Sequence, residues 1–152
     1  GDENQVAGGV AIRGTSVFSG THSGSVIHAN IATGEIVWTN TDCEAEVFTT
    51  PAVSADKVVY GGMDDWVYCV DRATGKQVWK FDAKGMPGSA IIAGDKVVVT
   101  ANGVLYMLAL TDGKLIWTYE VSDEITPPSI INGMILVGGK DGSLSAFGTA
   151  AS

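Results

Sequence analysis

Positive charge is scarce in this chain. Nine Lys and Arg stand against 17 Asp and Glu, for a formal net charge of −8. Nucleic-acid binding needs a basic footprint, and none is present. Anionic membrane surfaces are disfavoured for the same reason. The acidity accounts for solubility, or suits a basic partner. Cysteine is nearly absent: Cys43 and Cys69 are neither adjacent nor in a CxxC pair. A disulfide between them is possible but not implied, and two free thiols are expected. The two histidines, His22 and His28, have no Cys, Glu or His at zinc-like spacing, so neither reads as a metal ligand. No apolar run reaches the roughly 18 residues a membrane helix needs. No secretory leader is legible, as is also true of a mature chain that has lost one. No Asn-x-Ser/Thr acceptor occurs. No stretch keeps apolar residues at helical spacing for even ten residues, which predicts no substantial helix.

Glycine, by contrast, is abundant, with 20 among 152 residues. Together with many β-branched residues and few charges, it points to short strands joined by tight turns. The dominant feature is an internal repeat. Thr33-Gly34-Glu35-Ile36-Val37-Trp38, Thr74-Gly75-Lys76-Gln77-Val78-Trp79 and Asp112-Gly113-Lys114-Leu115-Ile116-Trp117 nearly coincide. The glycine steps are 75 − 34 = 41 and 113 − 75 = 38. A second, glycine-containing anchor precedes each, and a fourth copy, Gly138-Gly139-Lys140-Asp141-Gly142, has no Trp segment after it.

Short apolar runs broken by turn residues fill the space between anchors. In the second repeat Thr49–Ser54, Lys57–Gly62, Trp66–Asp71 and Lys76–Phe81 read as strands. Val58-Val59-Tyr60, Val97-Val98-Val99 and Met134-Ile135-Leu136-Val137 are continuous apolar runs, which suit strands buried on both faces. Four antiparallel strands per unit of roughly 40 residues is the pattern of a β-propeller blade. One such sheet cannot bury both faces alone; radial stacking buries them against each other. Trp38, Trp79 and Trp117 then fill the wedge between neighbouring blades. Gly34, Gly75 and Gly113 suit a turn position with φ > 0. The expected architecture is all-β, one domain over 1–152, with blades near 6–41, 47–82, 87–121 and 126–147.

Tyr68-Cys69-Val70-Asp71-Arg72-Ala73-Thr74-Gly75-Lys76-Gln77-Val78-Trp79 resembles the pyrroloquinoline-quinone repeat, Tyr-Ala-Leu-Asp-x-x-Thr-Gly-Lys-x-x-Trp. The first repeat has Asn30 for the aspartate. The third has Ala109 there and Asp112 for the threonine. The resemblance runs from about Val6 to Phe147 and implies rings of seven or eight blades. It embraces quinoprotein alcohol dehydrogenases and the propeller lipoprotein of the outer-membrane assembly machinery. The first group implies the quinone, a Ca²⁺ ion and a vicinal disulfide; Cys43 and Cys69 are 69 − 43 = 26 apart, so that element is missing. No family active-site motif matches residue by residue. The expectation is therefore no catalytic residue, no cofactor and no metal site, with an extracytoplasmic location implied by resemblance alone.

Other candidate chemistry is thin. Ser23 and Ser25 around Gly24 read as a turn, not a nucleophile elbow. The Gly-x-Gly strings precede no helix and are not phosphate loops. Asp64-Asp65 and Asp141-Gly142-Ser143 lack the alternating ligands of a calcium loop. Asp42, Glu44 and Glu46 form an acidic connector: solvated loop, or docking patch for a basic partner. Trp66 stands outside the repeat, where other blades carry Ser25, Val104 and Ser143. It reads as hairpin packing, or as an anchor for a partner together with Asp64 and Asp65.

The fourth blade lacks an outer strand. Gly1-Asp2-Glu3-Asn4-Gln5 is short, acidic and poorly β-forming, so closure through it is not expected. Bare blade faces and an open edge then call for a partner. Three arrangements answer this: a second copy completing an eight-bladed ring, the remainder of a longer propeller chain, or four blades closed on themselves. The functional expectation is a non-enzymatic scaffold that binds proteins. A quinoprotein dehydrogenase fragment and a small-ligand or carbohydrate-binding propeller are the alternatives.

Overall fold

The computed structural model describes residues 5–121 and 125–148. All regular elements among them are strands, in four sheets. The first holds β1 (Val6–Arg13), β2 (Ser16–Thr21), β3 (Val26–Asn30) and β4 (Ile36–Asn40). The second holds β5 (Ala52–Val53), β6 (Lys57–Gly61), β7 (Trp66–Asp71) and β8 (Gln77–Asp82). The third holds β9 (Ile91–Ala93), β10 (Lys96–Ala101), β11 (Val104–Ala109) and β12 (Leu115–Glu120). The fourth has β13 (Ser129–Ile131), β14 (Met134–Gly138) and β15 (Leu144–Phe147). Each sheet is an antiparallel meander in chain order, so the fold is a run of propeller blades. In the second sheet β5 is shorter than the sequence pattern suggests, starting only after Pro51, which has no amide hydrogen to give a ladder.

The apolar runs are explained by the period-2 alternation of strands. Val58 packs toward the first sheet with Phe18, Val26 and Trp38. Its neighbour Val59 packs toward the third sheet with Val97, Val99 and Tyr106. Val98 in turn faces the fourth sheet with Ile135 and Val137. One continuous run thus serves two cores. Tyr68 and Tyr106, which hold matching positions in the second and third repeats, sit in these cores.

The repeated turns hold their shape by local bonding. Gly34, Gly75 and Gly113 have φ of 73°, 72° and 70°, where a side chain is strained. Asp71 Oδ1 accepts from both the amide and the hydroxyl of Thr74, each at 2.8 Å. Asn30 Oδ1 does the same work, accepting from the amides of Ala32 and Thr33 at 2.8 and 3.3 Å. Ala109 cannot, and there Asp112 Oδ1 accepts from the Lys114 amide at 3.1 Å instead. The departures from the repeat pattern therefore preserve the turn.

Among the described residues three cores join the sheets: first to second, second to third and third to fourth. Among the described residues no core joins the fourth sheet to the first. Among the described residues the blades therefore form an arc in which the fourth sheet shares no core with the first.

Candidate interaction surfaces

The Trp wedges show how one blade recognises the next. His28, Cys69 and Met107 pair with Trp38, Trp79 and Trp117, and the register shifts directly after each pairing. That bulge re-aims the strand and sets the indole toward the following blade. Trp38 Nε1 donates to the Arg72 carbonyl and Trp79 Nε1 to the Leu110 carbonyl, both at 2.8 Å. Each ring also covers the turn glycine of the next blade. A Cβ on Gly75 would lie 2.6 Å from Trp38 Cδ2, and one on Gly113 the same distance from Trp79 Cδ2. Trp117 differs: it is only partly buried and meets Phe147 edge-on, with centroids 5.6 Å apart.

The two ends of the arc are bare. Leu144 is 71% exposed. Its register equivalents Val26, Val67 and Leu105 are each 0% exposed. At the other end Ile12 is 67% exposed, and Val17 is less buried than its equivalents Val58 and Val97. These are blade-packing faces without a blade against them.

The acidic connector is more structural than its composition suggests. Asp42 accepts from Asn40 Nδ2 at 2.6 Å, and the same amide group donates to the Gly75 carbonyl at 2.9 Å. Tyr60 donates its hydroxyl to Asn40 Oδ1 at 2.6 Å. Asp64 receives the Tyr68 hydroxyl at 2.5 Å and the Glu44 amide at 3.1 Å. Burial, and for Tyr68 the Asp64 carboxylate as well, push both phenols well above the usual range, so they remain donors. Asp65 occupies a left-handed turn position at φ 70°, and its carbonyl accepts from the Ala83 amide at 3.0 Å. Glu46 accepts the Met63 amide through its carbonyl at 2.9 Å. The structure thus brings Asp42, Glu44 and Asp64 to one connector. Trp66 lies partly buried against the core between the first and second sheets, with Lys80 Nζ 4.3 Å from its ring centroid. The Asn40–Tyr60 pair was not legible as functional or structural in sequence, because nothing local marks a cross-blade partner 20 residues away.

His28 is buried, stacked on Phe18 at 4.4 Å, and its Nδ1 has no hydrogen-bond partner. Burial first, then the nearby Arg72 guanidinium, lowers its pKa below the ordinary 6.5. The unfolded chain therefore binds the proton more readily than the folded one. The stability this neutral imidazole contributes is fully present above pH 6.5 and declines as pH falls below it. Urea unfolding between pH 7 and 5 should show falling stability in the parent chain and a flatter profile in His28→Gln.

The vicinal disulfide of the quinoprotein dehydrogenases has no counterpart among the described residues. Cys43 and Cys69 are buried free thiols in different inter-blade cores, each pushed by burial up to about 12. Among the described residues no three Asp, Glu, His or Cys side chains are grouped to hold a metal ion. The Asp64 carboxylate accepts from Tyr68 and from the Glu44 amide. No helix among the described residues is long and apolar enough to cross a membrane.

The chain resembles known proteins both in sequence and in fold. The family model described as outer membrane protein assembly factor BamB matches twice, over residues 2–65 and 63–151. The BamB of Xanthomonas campestris pv. campestris is 35% identical over 149 residues, covering 95% of this chain and 36% of that protein. The chain thus spans little more than a third of that curated relative. A quinohemoprotein alcohol dehydrogenase of Pseudomonas putida is 30% identical over 104 residues, 55% of this chain and 15% of that enzyme. The crystal structure of BamB from Moraxella catarrhalis superposes with a TM-score of 0.79 at 19% identity, over 94% of this chain and 43% of that one. The computationally designed Ika4 protein superposes with a TM-score of 0.87 at 20% identity, over 99% of this chain and 94% of that one. These two likenesses establish the fold.

Proposed function

We infer, from the premise that this chain belongs to the BamB family of pyrroloquinoline-quinone-repeat propellers, that it is a non-enzymatic scaffold whose blade surfaces bind other proteins. An assembly role for outer-membrane proteins would place it outside the cytoplasm. The dehydrogenase reading gains little from a match over 15% of that enzyme. The cysteines it would need side by side stand in separate cores. Asp42, Glu44, Asp64, Asp65 and Trp66 form the proposed docking rim for a basic protein segment, with Glu46 beside them.

The observation that carries the scaffold reading is the pair of bare blade faces, Leu144 at one end and Ile12 at the other. We propose that a second copy covers both. Two arcs related by a two-fold axis would set the fourth blade of each against the first blade of the other, giving 2 × 4 = 8 sheets in a closed ring. Light scattering on the purified chain tests this. A mass near twice 15.7 kDa is expected. A single-chain mass would overturn the ring of two copies and favour the rest of a longer propeller as the covering element.

A further inference from the structure

The junction between the first and second blades differs from the next one at three matching places. His28 pairs with Trp38 where Cys69 pairs with Trp79. Arg72 offers its carbonyl to the Trp38 indole where Leu110 offers its own to that of Trp79. Ser16 stands opposite Asn30 where Lys57 stands opposite Asp71. The second junction thus has a thiol, an aliphatic chain and a long lysine at these places. The first has an imidazole, a guanidinium and a short hydroxyl, and the three line a pocket of 310 Å³. All its walls come from the first two sheets and the turns between their strands, within the described run 5–121.

The polar walls are unequally partnered. Asp56 is tied to Lys57 at 2.5 Å, and Asp71 to the amide and hydroxyl of Thr74. Arg72 Nη1 donates to the Ala55 carbonyl at 3.0 Å and to the Ser54 carbonyl at 3.5 Å, which holds the guanidinium in place. Its charge has no carboxylate within ion-pair distance among the described residues, whose ion pairs are made by lysines. His28 is buried, and its Nδ1 is enclosed without a partner. Carrying the proton on Nε2 avoids burying an unpaired donor at Nδ1. That tautomer makes Nε2–H the donor this ring has to offer. Burial, and then Arg72, lower its pKa, so the ring is neutral above pH 6.5.

We propose that this pocket binds a small monocarboxylate, its oxygens received by the Arg72 guanidinium and the imidazole N–H of His28, its short apolar tail against Ala55 and Ala73. Two N–H donors, one of them charged, suit an oxyanion. The remaining walls select the class. Asp56 and Asp71 line the same pocket, and like charges repel, so a dianionic phosphate is disfavoured where a single negative charge beside Arg72 is not. The side chains of Ala55 and Ala73 add an apolar surface for the tail. The pocket needs no second copy, and none of the docking-rim residues lines it.

The probe is butyrate, titrated into the full chain above pH 6.5 while the imidazole C–H resonances of His22 and His28 are followed by NMR. A saturable shift is expected at His28 and none at His22. Phosphate should bind about tenfold more weakly or worse. Arg72→Gln should weaken butyrate about tenfold or more, through the loss of one charge-assisted pair. Ala73→Leu keeps the guanidinium but fills the space, and should weaken butyrate similarly. It lies in an exposed turn whose counterpart in the third blade is Thr111, so the fold should tolerate it. Absence of a saturable His28 shift at millimolar butyrate, or unchanged affinity in either variant, would overturn the site. Phosphate binding as tightly as butyrate would overturn the carboxylate class.

Discussion

Replacing Leu144 with Asp is expected to reduce the particle from two chains to one while leaving the far-UV circular dichroism unchanged. The expectation follows from a mismatch between pattern and exposure. Val26, Val67 and Leu105 hold the same register in their sheets and are fully buried by the next blade, whereas Leu144 is 71% exposed. Inside a single chain the new carboxylate would stay in water and cost little. In a ring it would be buried against the partner's first blade. An unpaired buried charge costs about 3–5 kcal/mol, and two-fold symmetry applies that cost at both interfaces. Each interface alone would weaken roughly 10² to 4 × 10³-fold. Ile12→Asp attacks the facing surface and should act alike. If either variant kept the mass of two chains, these faces would not be the ones covered.

The second large effect concerns stability. Trp79→Ala should cost about 3–5 kcal/mol, as truncation of a buried Trp generally does. The loss combines three terms: the cavity over Gly113, the vanished bond to the Leu110 carbonyl, and the lost pairing surface opposite Cys69. For a chain of this size the melting temperature should fall by roughly 6–20 °C. Trp117→Ala, the same substitution at the same place in the repeat, should cost clearly less, because Trp117 is only partly buried at the margin of the core between the third and fourth sheets. Thermal unfolding of the two variants side by side checks this. Equal costs would mean that the third wedge is as complete as the second.

Much of the blade was legible in the residues. Thr-Gly followed by alternating apolar residues and Trp marked the turn and outer strand, and the glycines do take φ near 70°. Val58-Val59-Tyr60 announced a strand buried on both faces, and each of its residues is found in a core. The candidate surface was less legible. Asp64 looked like part of an acidic patch, but its carboxylate is tied to Tyr68 and Glu44. His28 gave no sign that it would stack on Phe18 with Nδ1 unpaired. Such facts depend on what the neighbouring strand brings, which local spacing does not encode.

Sequence by itself determined the repeat unit, its strands and turns, and the wedge positions. These depend on side-chain alternation and on backbone conformations that particular residues tolerate, both of them local properties. Only the tertiary structure decided that three identical-looking tryptophans are not equivalent, that Gly34 lacks an indole, and that Leu144 and Ile12 lie open. Burial is a property of a residue and its neighbour together. Where the arc of blades runs out, the same sequence pattern faces water.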